Sequence, residues 1–423
     1  MVIGLAASLI AQALTHLIGL ITNLSFYGRI STEFSSPAEN HLGWWVILVP
    51  IVGGLIVGVM ARYGHKAIRG HGIPEAMEQI LSNESRIPAR ITLLKPISAA
   101  IAIGTGGPFG AEGPIIATGG ALGSLVGQIL HISPAERKTL LAAGAAAGMC
   151  ATFGSPVSAV LLAIELLLFE FRPRSVVPVA LASTVAAGMR FCWVGSEPVF
   201  AMPALLPPSG PALFFYFVEG CLFGLVAVVV TKSVYWIEDL FDELPIHWMW
   251  WPAMGAIAVG LVGVFFPHTL GVGYDNIAHI LQGQFVGTAV LVFCLMKFIS
   301  WSIALGSGTS GGTLAPLFTI GGGLGAALGG GMIMLYPGAG IDVRAAALVG
   351  MASIFTGASR ALLASVVFAF ETTHQQYGVL PLLGGCTAAY LISHLSMKET
   401  IMTEKLARRG VKVPHEYVAL ESE

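Results

Sequence analysis

The chain has 423 residues, 55% of them hydrophobic and 10% charged; so little polar surface cannot cover a soluble fold, which places the protein in a bilayer. A formal charge of −2 excludes a nucleic-acid-binding surface. The cysteines, Cys150, Cys192, Cys221, Cys294 and Cys386, lie at wide spacing in or beside apolar runs, so they predict no disulfide framework, no metal site and no cofactor.

In chain order, apolar helical segments are expected near 1–24, 43–61, 96–104, 114–130, 139–170, 176–194, 212–237, 250–266, 284–305, 314–336, 345–370 and 379–396. A full span needs about 20 residues, so the short or Gly- and Pro-broken segments must be tilted or re-entrant. Residues 1–409 therefore read as one all-α integral membrane domain. The first run, Val2 to Leu24, has no basic flank before it, so it reads as a spanning helix and not a cleaved signal. Arg62, Lys66, Arg69, Arg86, Arg90 and Lys95 gather in one early connection, and Lys398, Lys405, Arg408, Arg409 and Lys412 follow the last apolar run. Both regions are expected on the cytoplasmic side, with the protein in the cell (inner) membrane. Residues 410–423 read as a cytoplasmic tail or the start of a linker.

The chain also repeats itself. Gly110 to Gly123 and Gly312 to Gly325 share the first glycine, the proline, the paired glycine and the final Leu-Gly without a gap, and Gly144 to Glu165 matches Gly350 to Glu371. The halves fall at about 1–195 and 212–409. Two related halves with interrupted apolar segments at matching places point to a substrate site between them. Glycines at four-residue spacing, Gly119, Gly123 and Gly127, then Gly321, Gly325 and Gly329, are expected to serve helix packing.

Three stretches share one design. Gly70-His71-Gly72-Ile73-Pro74, Gly110-Ala111-Glu112-Gly113-Pro114 and Gly312-Thr313-Leu314-Ala315-Pro316 each set small residues before a proline in a first helical turn. The leading amides of a helix are unpaired, and with the positive end of its dipole they form an anion site that carries no full charge. Three such starts converging in the membrane would dehydrate a small anion yet release it. At the third, Thr313 and Leu314 are expected to contribute amides. A carboxylate at the bilayer centre costs about 2.5–3.5 kcal/mol, so Glu112 is expected to be functional.

In this order and at this spacing, the motifs resemble the anion-pathway signatures of the CLC family of chloride channels and proton-coupled anion exchangers. The third extends back to Gly306-Ser-Gly-Thr-Ser-Gly311, and the resemblance runs from residue 1 to about Arg409. It implies a homodimer with a pathway in each subunit, an inverted-repeat bundle of tilted and broken helices, chloride or a similar anion as ligand, and Glu112 as the gate. The expected function is transport of small anions, channel-like or loosely coupled to protons; tightly coupled anion/proton exchange is the alternative.

The chain departs from the family at three places. The first motif usually carries Ser where His71 stands, and Met402 matches a pore-facing Tyr in the last pore helix, so Met402 is expected to line the anion pathway at its inner constriction. The second glutamate that relays protons in exchangers would follow Glu165, where the chain has Leu166. His71 is expected to line the pathway, where an imidazole can donate to an anion or carry a proton. Glu165 and Glu371 are expected to anchor neighbouring helix starts, and Lys297 to snorkel or to pair with a carboxylate. The dinucleotide-type pattern at Gly306–Gly311 lacks any βαβ context. An intramembrane serine protease, with Ser310 and either His374 or His394, is the remote enzyme reading; it leaves Glu112 and the duplication without a reason.

Overall fold

The computed structural model describes residues 1–285 and 287–414, so the tail expected at 410–423 falls mostly outside the described residues. Among these the chain is helical, with no β-structure beyond two isolated bridges. The first half comprises α1 (Val2–Tyr27), α2 (Leu48–Tyr63), α3 (Ile73–Ser82), α4 (Ala89–Gly104), α5 (Glu112–Ile129), α6 (Pro134–Phe153), α7 (Pro156–Ala163) and α8 (Pro173–Trp193). The second repeats the series as α9 (Gly210–Asp242), α10 (Trp251–Phe265), α11 (Tyr274–Leu281), α12 (Thr288–Gly306), α13 (Leu314–Leu335), α14 (Val343–Ser359), α15 (Leu362–Thr373) and α16 (Val379–Ser396). A short α17 (Glu404–Arg408) has no counterpart in the first half. Among the described residues, 8 helical stretches are long and apolar enough to cross a membrane, including α1, α9, α12 and α13.

Related halves make related contacts. In the first, α5 crosses α6 at Gly119 and Gly144, and a Cβ on either would strike the carbonyl oxygen of the other. In the second, α13 crosses α14 at Gly321 and Gly350 with the same reciprocity. Within lipid there is no hydrophobic force between helices, so close backbone packing at such small residues is what holds them. The upper turns of α5 and α13 are buried on every side, Ile116, Thr118, Leu317 and Thr319 included, which makes these two helices the centre of the bundle.

Glu165 and Glu371 link the halves. Glu165 accepts the Leu363 and Ala364 amides, both at 3.0 Å, and Glu371 accepts those of Val157 and Ser158 at 3.0 and 2.8 Å. Each carboxylate caps the start of the other half's short helix, where free amides and the helix dipole favour negative charge.

Several sequence expectations change. The runs 139–170 and 345–370 are each two helices, broken where Gly154 and Arg360 adopt φ of 64° and 61°. Glu165 lies on the wide π turn Ile164–Leu168 that directly continues and ends α7. Helix α4 begins at Ala89, so Lys95 belongs to the bundle and is 1% exposed. The short helices α3 and α11 had no apolar run to announce them.

Candidate functional site

The three glycine turns meet. Gly70 donates to the Thr309 carbonyl at 3.1 Å and accepts from the Gly311 amide at 3.4 Å, so the first motif pairs with the long third one. Gly110 and Gly312 exchange amide–carbonyl bonds at 3.3 and 2.9 Å, joining the second motif to the third across the repeat. Gly113 completes the triangle, because a Cβ there would strike the His71 carbonyl. Helices α3, α5 and α13 thus start around one point, and their prolines fall in the first turn, where the missing amide costs nothing.

All the residues expected from the sequence are buried: Gly70, His71, Gly72, Ile73 and Pro74; Gly110, Ala111, Glu112, Gly113 and Pro114; Gly312, Thr313, Leu314, Ala315 and Pro316. Glu112 opens α5 and is 0% exposed. One oxygen, Oε1, accepts the Tyr274 hydroxyl at 2.9 Å, while Oε2 has no partner of hydrogen-bond geometry and lies beside Gly312. Each motif holds one such buried polar atom without a partner among the described residues: His71 Nδ1, Glu112 Oε2 and Thr313 Oγ1. Since buried polar groups are ordinarily paired, three orphans at one convergence mark a place built for something polar to enter.

Towards α17 the site opens into a cavity of about 570 Å³ lined by His71, Glu75, Arg69, Lys405 and Arg409 among others. Glu75 accepts the Gly72 amide at 2.7 Å and pairs with Lys405 at 3.1 Å, fastening α17 beneath α3. Arg69 reaches the Gly308 carbonyl at 3.4 Å and lies over the rings of Trp248 and Trp251. Met402 is buried in the apolar core in the turn before α17, and it does not line this cavity. On the opposite flank, Phe153, Phe200, Phe368 and Phe318 form a chain of rings beside Tyr274.

The sequence reading gave two lysines other roles and missed a third group altogether. Lys95 donates to the Ile68 and Gly70 carbonyls at 2.8 and 2.7 Å, and Lys297 to those of Thr269 and Gly271 at 2.9 and 3.2 Å. Among the described residues Lys297 therefore neither snorkels nor pairs directly with a carboxylate; each lysine pins the turn that precedes the short helix of its own half. The third group is Tyr274, on a stretch without proline. Ser310 takes a hydrogen bond from Ser98 at 3.1 Å, and neither His374 nor His394 bonds to it among the described residues. No cluster of potential metal ligands occurs among the described residues.

The family model described as voltage gated chloride channel matches residues 53–394. The chain belongs to this family. It is an integral, multi-pass membrane protein built on the family's inverted-repeat bundle. It is 27% identical over 372 residues to a putative chloride channel protein ClcB-like of Ralstonia nicotianae, covering 87% of each chain. It is 28% identical to the H(+)/Cl(−) exchange transporter ClcA of Vibrio campbellii, over 94% of this chain and 88% of that one. Among solved structures, a slow cyanobacterial Cl−/H+ antiporter superposes with a TM-score of 0.86 at 20% identity, covering 96% of both chains.

Proposed function

We propose that this family member carries small anions, chloride first among them, across the membrane through a pathway gated by Glu112, one in each subunit of a homodimer. The observation that carries the reading is the convergence of three glycine turns on Glu112, with an unpartnered buried polar atom from each. Amides at the starts of α3, α5 and α13 would hold the ion, and the carboxylate, of the same charge, would compete for their company. The cationic side chains of the inner cavity, Arg69, Lys405 and Arg409, would concentrate anions at the cytoplasmic mouth.

Coupling to protons is the finer question. Leu166 occupies the position where exchangers carry their inner glutamate, and Glu165 is engaged as a helix cap, so the usual inner proton route is lacking. This supports channel-like or loosely coupled transport. Exchange is supported by the names of the relatives and by Glu112 itself, and His71, with a free Nδ1 on the inner cavity, would be the cytoplasmic proton carrier. Reconstitution with anion current and proton uptake recorded together separates the two: a fixed ratio of protons to anions means exchange, and anion current without proton movement means a channel.

A further inference from the structure

The second half contains a disguised copy of the first anion motif, with different chemistry at its tip. Gly70-His71-Gly72-Ile73 corresponds to Gly271-Val272-Gly273-Tyr274. In both, the two glycines have positive φ, 96° and 97° in the first copy against 69° and 74° in the second. In both, a buried lysine from the next long helix grips two carbonyls of the turn. The first residue of the short helix that follows is Ile73 in α3 and Tyr274 in α11.

That substitution of tyrosine for isoleucine places a donor against the gate. The Tyr274 hydroxyl reaches Glu112 Oε1 at 2.9 Å from the other half of the molecule. Its ring is held edge-on by Phe153 and Phe200, with centroids 5.7 and 6.2 Å away, so the hydroxyl cannot follow the carboxylate if the carboxylate moves. An anion that displaces Glu112 must break this bond. A hydrogen bond to a charged group has a net strength that corresponds to at least about tenfold in an equilibrium.

We propose that Tyr274 is a positioning residue that latches the Glu112 carboxylate inside the anion pathway, and that Lys297 sets the latch by pinning the Gly271–Gly273 turn. The proposal rests on the reading of Glu112 as the gate. Removing the hydroxyl alone should weaken the closed arrangement and the charged form of Glu112 together, and both effects favour opening at higher pH. The ionisable groups nearest the pair are Lys297 from α12 and, beside that lysine, Asp275 of α11; both are retained in the test variant.

The test is chloride efflux from proteoliposomes as a function of pH, with the wild type, Tyr274→Phe, Glu112→Gln and the double variant. Tyr274→Phe, which keeps the ring in its cage, should raise efflux at alkaline pH about tenfold and move the half-maximal pH upward by about one unit. In the Glu112→Gln background the same substitution should change efflux less than about twofold. Lys297→Met should shift the midpoint in the same direction, through the loosened turn and through loss of the cation nearest Glu112. If Glu112→Gln removes the pH dependence while Tyr274→Phe leaves the midpoint where it was, the latch is overturned and the gate stands. An equal effect of Tyr274→Phe with and without the carboxylate would reduce the tyrosine to packing and also overturn it. Should Glu112→Gln itself leave the pH dependence intact, the gate reading falls and takes the latch with it.

Discussion

At the scale of single residues, the site is defined by what is left unpaired. The bundle satisfies most of its buried polar groups locally, as when Thr118 and Thr319 return their hydroxyls to carbonyls one turn back at 2.7 and 2.9 Å. His71 Nδ1, Glu112 Oε2 and Thr313 Oγ1 are not treated so. His71, where the family resemblance leads to an expected Ser, lines the cavity beside Glu75 and Lys405. On the proposed reading, protonation there would add a cation beside the anion and raise occupancy independently of Glu112. In a Glu112→Gln background, chloride efflux should retain a rise on acidification, and His71→Ser should remove it while leaving transport intact. The same pH profile with and without the imidazole would assign His71 to the loop alone. Glu112 and His71 were both legible in the sequence because each falls in a Gly-and-Pro motif. Tyr274 was not: Val272 and Asp275 replace His71 and Pro74, so its turn lacks the proline that made the others visible, and only the lysine clamps reveal the kinship.

At the scale of elements, helix starts converge on the candidate site and helix crossings set where those starts lie. Because a side chain at Gly144 or Gly321 would meet a backbone carbonyl that cannot yield, Gly144→Leu or Gly321→Leu should destabilise the detergent-solubilised protein by more than about 1–3 kcal/mol, the usual cost of overpacking. Gly330→Leu, on the same helix as Gly321 but facing open space, should leave the thermal midpoint nearly unchanged. Similar midpoints for all three would mean that the crossings are looser than described. The reciprocal caps make a paired prediction. Glu165→Gln and Glu371→Gln each weaken a charge-assisted bond to a helix start and should lower the midpoint by similar amounts, about 1–3 kcal/mol. Loss of proton movement in Glu165→Gln alone, with no change in stability, would instead make Glu165 a proton site. The apolar periodicity located the long helices but ran α6 into α7 and α14 into α15. The first break was signalled by Gly154 before Pro156. The second was hidden, because Arg360 is held in its left-handed conformation by tertiary bonds to the carbonyls of Ser393, Met397 and Lys398.

At the scale of the whole molecule, duplication supplies the scaffold and divergence between the copies supplies the chemistry. Both halves carry the lysine clamp, the glycine crossing and the glutamate cap, yet Glu112 appears once, since its counterpart is Leu314. Likewise His71 and Tyr274 stand on related turns, one beside the inner cavity and the other against the gate. On the proposed reading, a symmetric scaffold with an asymmetric lining would give the pathway one gate between two entrances. The proposed gate is Glu112. It is tested most directly by recording anion current and proton uptake together from proteoliposomes containing wild type or Glu112→Gln. The neutral side chain should leave anion flux in place while pH dependence falls to the His71 remainder and any proton uptake disappears. Proton uptake and full pH dependence persisting in Glu112→Gln would contradict it.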